Sequence, residues 1–183
     1  PEMVGSHVAS TTSHTTGRTL NLTLRASTAL FSHMGIEWNL LEASEQERRD
    51  LAAWIGLHKR LRPLLHTGRV VHVDALDASW RAHGVVSADR DEAVFTFVRM
   101  STSAVRPSVA MRLPGLDPSA DYHLVELLPD GVSSDLALSL RSPQNWSWWR
   151  EGVTLPGAVL GEVGVRAPDL YPERATLLHL RRA

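Results

Sequence analysis

LFSHMGIEWNLLEASEQERRDLAAWIGLHKRLRPLLHTG, residues 30–68, reads as a short buried strand followed by a capped amphipathic helix that stops at a glycine. Ser44 and Glu47 have the S-x-x-E spacing of a capping box, in which each side chain satisfies an orphan amide of the first helical turn. Leu51, Trp54, Ile55, His58, Leu61 and Leu65 then recur at three- and four-residue intervals and predict one buried helix face. Gly68 stands where a left-handed residue would end the helix. Strand followed by helix is a unit of an α/β layer fold, and such a strand needs neighbours to pair with. Few residues precede it, so the stretch predicts the tail of a larger protein whose chemistry lies mostly upstream of Pro1.

Working outward towards the N-terminus, Glu2 to Val8 reads as a strand, and Ser10 to Thr19 (STTSHTTGRT) as a hydroxyl-rich loop. Leu20, Leu24, Ala26, Ala29 and Leu30 give a helical stripe, and Phe31 to Leu40 returns to strand-like composition. Residues 1–68 therefore predict two βα units of a parallel sheet or barrel. Beyond Gly68 the period changes. Val70, Val71 and Val73 open a β-rich half, with strands expected over Ala93–Met100, Ser108–Leu113, Tyr122–Leu128 and Ala175–Leu180. Turn signals at Leu113–Pro118 and Leu128–Gly131 separate them and point to an antiparallel β-sandwich over residues 69–183. That half is expected to fold by itself, whereas residues 1–68 leave strand edges and apolar faces to be covered.

Composition narrows the classes. A formal net charge of −1 and a pI near 6.9 give no electrostatic reason to expect a nucleic acid or an anionic membrane as partner. No apolar run reaches the roughly 18 residues of a membrane span, and PEMVGSHVAS lacks the basic and apolar regions of a secretory leader. A cytoplasmic location is expected, with a leader upstream of Pro1 left open. The absence of cysteine removes disulfides, thiol nucleophiles and cysteine-ligated zinc.

The runs PEMVGSHVAS, SHTTGR, LRASTALFSHMGIEWNL and HKRLRPLLHTGRV resemble the end of the catalytic barrel in glycoside hydrolase family 36, the bacterial α-galactosidases. Further on, LPGLDPSADYHL and LPGAVLGEVGVRAPDLYPERATLLHL resemble that family's C-terminal β-domain, in the same order and spacing. The resemblance implies a fold that is α/β plus all-β: the last two βα units of a (β/α)8 TIM barrel over residues 1–68, then a small antiparallel β-sandwich over 69–183. It implies that Glu2–Val8 is barrel strand 7 and Met34–Leu40 strand 8. The activity implied is retaining hydrolysis of terminal α-linked galactose from sugars such as melibiose and raffinose, by two aspartates and without a cofactor. A retaining mechanism needs two carboxyl groups about 5 Å apart. In the family both precede the segment matching PEMVGSHV, so no residue of this chain is assigned a catalytic role. Partners implied are an α-galactoside and no nucleic acid or membrane, with a homo-oligomer left open. The rival class is a non-catalytic carbohydrate-binding or structural β module.

Two residues emerge as candidates for substrate binding. His7 lies near the end of the first strand, and barrel sites lie at carboxyl strand ends. It would hydrogen-bond a sugar hydroxyl or orient a carboxylate, or else simply anchor a loop. Glu37 ends the second strand, and alternation sets Glu37 and Asn39 on one side and Trp38 on the other. Trp38 is expected to pack on a barrel helix, leaving Glu37 as the site candidate, with a buried structural glutamate as its alternative. In the loop after the first strand, Arg18 is expected to form an ordering ion pair. His7, His14 and His33 lack zinc-site spacing. Trp146, Trp148 and Trp149 would form either a sugar-stacking surface or a buried interface anchor.

Overall fold

The computed structural model describes residues 4–74, 77–105, 108, 110–135 and 147–183. It begins with β1 (Gly5–Ala9), α1 (Leu22–Leu30), β2 (His33–Glu37) and α2 (Glu45–Thr67). β1 and β2 pair in parallel, from Gly5 opposite His33 to Ala9 opposite Glu37. Parallel neighbours need a crossover, and α1 supplies it. The second strand is shorter than its composition suggests. Asn39 ends it by folding back on the chain: its Oδ1 accepts from Leu41 N at 3.2 Å and its carbonyl from Glu42 N at 3.1 Å.

α2 starts at the capping box its sequence announces, with Ser44 Oγ accepting from Glu47 N and Glu47 Oε2 accepting from Ser44 N at 2.9 Å. It ends differently from expectation. Gly68 is extended, with φ −74° and ψ 167°, so no left-handed residue closes the helix. The glycine is needed for room instead: a Cβ there would stand 2.5 Å from Val85 Cγ1 and 2.7 Å from the Leu64 carbonyl oxygen.

The remaining strands are β3 (Arg69–Val73), β4 (Trp80–Val86), β5 (Glu92–Arg99), β6 (Ala110–Met111), β7 (Asp121–Leu127), β8 (Val153–Pro156), β9 (Val165–Arg166) and β10 (Arg174–Arg182). Among the described residues, two short helices, α3 (Trp148–Glu151) and α4 (Gly157–Glu162), lie between β7 and β9. Six strands form one sheet in the order β3-β4-β5-β10-β7-β8, antiparallel at every pairing, and β6 and β9 form a separate antiparallel pair.

Both faces of the large sheet are covered, which explains why Ala93–Phe97 is an unbroken buried run where a half-exposed strand would alternate. Val85, Val94 and Leu177 point to one face and join a cluster with Leu51, Trp54, Leu57, Leu61 and Leu65 of α2 and Ala26, Ala29 and Leu30 of α1. Trp80, Phe95, Phe97, Tyr122, Leu124, Leu178 and Leu180 point to the other and pack under Met111, Leu113, Trp149, Leu160 and Val165. α1 lies on β10 and β5, and α2 on β4. The helices of the parallel unit are thus sandwiched between two β layers. Of the tryptophan cluster, Trp149 is buried edge-on to Phe97 and Trp148 stacks on Trp149 at 4.7 Å, so both serve packing. Trp146 lies outside the described residues.

Candidate functional site

β1 and β2 run parallel, so their carboxyl ends meet at Ala9 and Glu37. Alternation divides their residues between two faces. Val8, fully buried, and Met34 pack towards the helices, and Ile36, the register partner of Val8, shares their side of the pair while remaining exposed. The opposite face carries His7, Gly35 and Glu37; His7 and Glu37 are exposed there, whereas His33, at the amino end of β2, sets its ring against His66 of α2. His7 lies across Gly35: a Cβ on that glycine would be 2.5 Å from the imidazole Cδ2 and 2.9 Å from Nε2. Gly35 therefore lets the ring rest against the β2 backbone. Glu37, two residues further along the same face, presents an exposed carboxylate. The structure brings the two expected candidates, His7 and Glu37, onto one open face, as diagonal neighbours at its carboxyl end.

Trp38 follows the strand on the helix side, half-buried against the helical cluster, with the Arg25 guanidinium 4.9 Å from its ring centre. Arg25 belongs to α1 and makes an unusual number of backbone contacts. Its Nε donates to the Leu20 and Asn21 carbonyls at 3.1 and 3.3 Å, Nη1 to the Ala9 carbonyl, and Nη2 to Thr11 Oγ1 at 3.1 Å. Thr11 Oγ1 in turn donates to Glu47 Oε1 at 2.8 Å. Hydrogen bonds from the Ser44 amide, Thr11 and the Ser44 hydroxyl hold the Glu47 carboxyl below its ordinary range, while burial lowers the Arg25 pKa. In the same loop Arg18 pairs with Glu173, as an ordering ion pair should.

Beneath the loop, Asn21 caps α1 by accepting from Leu24 N at 2.9 Å, and its Nδ2 donates to both oxygens of Asp135 at 3.0 Å. Asp135 is 7% exposed, and burial pushes its pKa up. Burial also raises Glu126, whose Oε1 accepts from Ser134 Oγ at 2.6 Å and Thr176 Oγ1 at 3.0 Å. Both carboxyls are engaged inside the fold: Asp135 joins the α1 cap to Arg174 of β10, and Glu126 of β7 is bound by Thr176 of β10. Sequence reading overlooked them, along with Arg25 and Thr11. The signal available for Arg25 was a lone arginine within the otherwise small and apolar run LTLRASTAL.

The histidines do not converge as a metal site. His7 covers Gly35, His14 is exposed in the Ser13–Gly17 turn, and the His33 ring meets His66 at 4.5 Å. Among the described residues no group of three His, Asp or Glu side chains is arranged to hold a metal ion, and no helix is long and apolar enough to cross a membrane.

Known proteins share this arrangement. A family model described as melibiase matches residues 1–68, and one described as the glycosyl hydrolase family 36 C-terminal domain matches residues 80–180. An α-galactosidase of Escherichia coli is 30% identical over 190 residues, covering 100% of this chain and 26% of that protein. α-Galactosidase AgaA of Geobacillus stearothermophilus is 29% identical over 125 residues, 66% of this chain and 17% of its own length. Among solved structures, the galactosidase domain of the α-galactosidase–sucrose kinase AgaSK superposes with a TM-score of 0.79 at 24% identity, over 100% of this chain and 22% of that one. AgaA A355E D548N in complex with raffinose superposes with a TM-score of 0.77 at 23% identity, over 98% of this chain and 22% of that one. The chain thus spans about a quarter of the length of these relatives. With more than half its residues matching that C-terminal domain and the whole of it aligning with α-galactosidases, the chain belongs to glycosyl hydrolase family 36.

Proposed function

We propose that this chain works as part of a retaining α-galactosidase that releases terminal α-linked galactose from oligosaccharides such as melibiose and raffinose. In this reading residues 1–68 are the last two βα units of a (β/α)8 barrel, and residues 69–183 are a C-terminal antiparallel β-domain. The observation that carries it is the parallel β1–α1–β2–α2 unit, backed by helices on one face and open on the other, where His7 and Glu37 stand at the carboxyl end. A barrel segment has that form, with helices outside and substrate groups at the carboxyl strand ends.

The reaction needs a nucleophilic carboxylate and an acid/base carboxyl about 5 Å apart. This chain's role in it is binding: the two buried carboxyls, Glu126 and Asp135, are committed to internal partners. Glu37, acceptor-only when ionised, takes hydrogen bonds from galactose hydroxyls. His7, whose ring occupies the space that Gly35 leaves free, supplies a second polar contact beside it. The enzyme is taken to be cytoplasmic, cofactor-free and able to assemble as a homo-oligomer.

The test is Glu37→Gln in the intact enzyme. It should lower kcat/KM for p-nitrophenyl α-galactoside about tenfold, ~1.4 kcal/mol of transition-state stabilisation. The melting temperature should hardly move, because the carboxylate is exposed. A loss confined to thermal stability would make Glu37 structural and overturn the assignment.

A further inference from the structure

Arg25 sits on a helix, yet its guanidinium serves two loops. It holds the carbonyl of Ala9, the last residue of β1, and those of Leu20 and Asn21 at the far end of the β1–α1 loop. Its flat face covers Trp38, the first residue after β2. Through its fourth hydrogen-bond partner, Thr11, the chain of hydrogen bonds continues: the threonine hydroxyl accepts from Arg25 and donates to Glu47. Glu47 closes the circuit on the amide and hydroxyl of Ser44, at the end of the β2–α2 loop. One cation, one hydroxyl and one carboxylate thus connect both loops that border the open face of His7 and Glu37.

We propose that Arg25, acting through Thr11 and Glu47, is a positioning residue that fixes the two loops at the carboxyl ends of β1 and β2 for binding the galactosyl group. This rests on the α-galactosidase reading above. A guanidinium suits the task because its donors lie in one rigid plane, which spans several acceptors while its face rests on an indole. An ammonium is a point charge on a flexible stem and reaches fewer of these acceptors at once. Thr11 is the economical place to break the circuit, since it is only partly buried and its hydroxyl carries both bonds.

The experiment compares intact wild-type enzyme with Thr11→Val, Thr11→Ser and Arg25→Lys. It reads kcat and KM for p-nitrophenyl α-galactoside, and amide exchange over residues 10–21 and 38–44. Thr11→Val and Arg25→Lys should raise KM about tenfold with kcat within about twofold, the signature of lost binding, and both loops should exchange faster. Thr11→Ser, which keeps the hydroxyl, should restore wild-type KM and exchange. Active wild-type enzyme whose Thr11→Val and Arg25→Lys variants keep KM overturns the positioning role alone, whatever happens to exchange. Wild-type enzyme inert towards every α-galactoside tried overturns the functional reading, and this inference with it.

Discussion

Single residues in this chain show how burial sets protonation. His58 is 5% exposed, with its Nδ1 buried and lacking a hydrogen-bond partner. Burial lowers its pKa first, and the charges of Arg62, His66 and His33 lower it further. A histidine depressed in the folded state stays neutral there while the unfolded chain takes up a proton. Its contribution to stability is whole above the ordinary value of about 6.5 and is lost as pH falls through the folded value. Urea unfolding of this chain should therefore give constant stability from pH 8 to about 7 and a decline below about 6.5. His58→Leu should make that decline shallower without removing it, because His66, His83 and His179 are depressed by burial in the same way. An unchanged slope would mean that His58 protonates in place without cost.

At the scale of elements, the sequence was legible wherever a local rule governs. The capping box of α2, the parallel unit, and the strands β5, β7 and β10 all follow from spacing and composition. What stayed hidden depends on distant neighbours. Trp80–Val86 is a strand although it carries Arg81 and His83, because β3 and β5 pair with it on both sides. The open face of His7 and Glu37 could be foreseen from alternation, but Arg25, Thr11 and Asp135 gain their roles only from contacts many residues away. Gly68 was placed correctly as a helix end for the wrong reason, and that reason is testable. Its backbone would accept alanine, but the Cβ would strike Val85 and the backbone of Leu64 and Val86. Gly68→Ala should cost about 1–3 kcal/mol in chemical denaturation. Gly56→Ala is the contrast, exposed in mid-helix with nothing within 4 Å of its Cβ, and should add about 0.5–1 kcal/mol. Equal effects at the two sites would show that crowding at Gly68 is relieved at no cost.

For the molecule as a whole, the change of composition at Gly68 and the division of the hydrophobic core do not coincide. α1 and α2 precede Gly68 but bury Val85, Val94 and Leu177, which follow it. Composition suggests that residues 69–183 fold unaided; the packing argues that they would expose an apolar sheet face. The chain shortened to residues 69–183 should bind a hydrophobic dye and lack the sharp thermal transition of residues 1–183, while a soluble, cooperatively melting shortened chain would contradict this. The shared cluster has a consequence for how members of this family recombine. A crossover at Gly68, where the sequence changes character, would cut through a packed core and pair one parent's helices with another's sheet. Chimeras joined there should need compensating changes at Leu51, Trp54, Val85, Val94 or Leu177 to match shape. Exchanges that keep α1, α2 and the large sheet from a single parent avoid that burden. The unit of inheritance is then the three-layer packing, and the seam visible in the sequence is a poor place to cut.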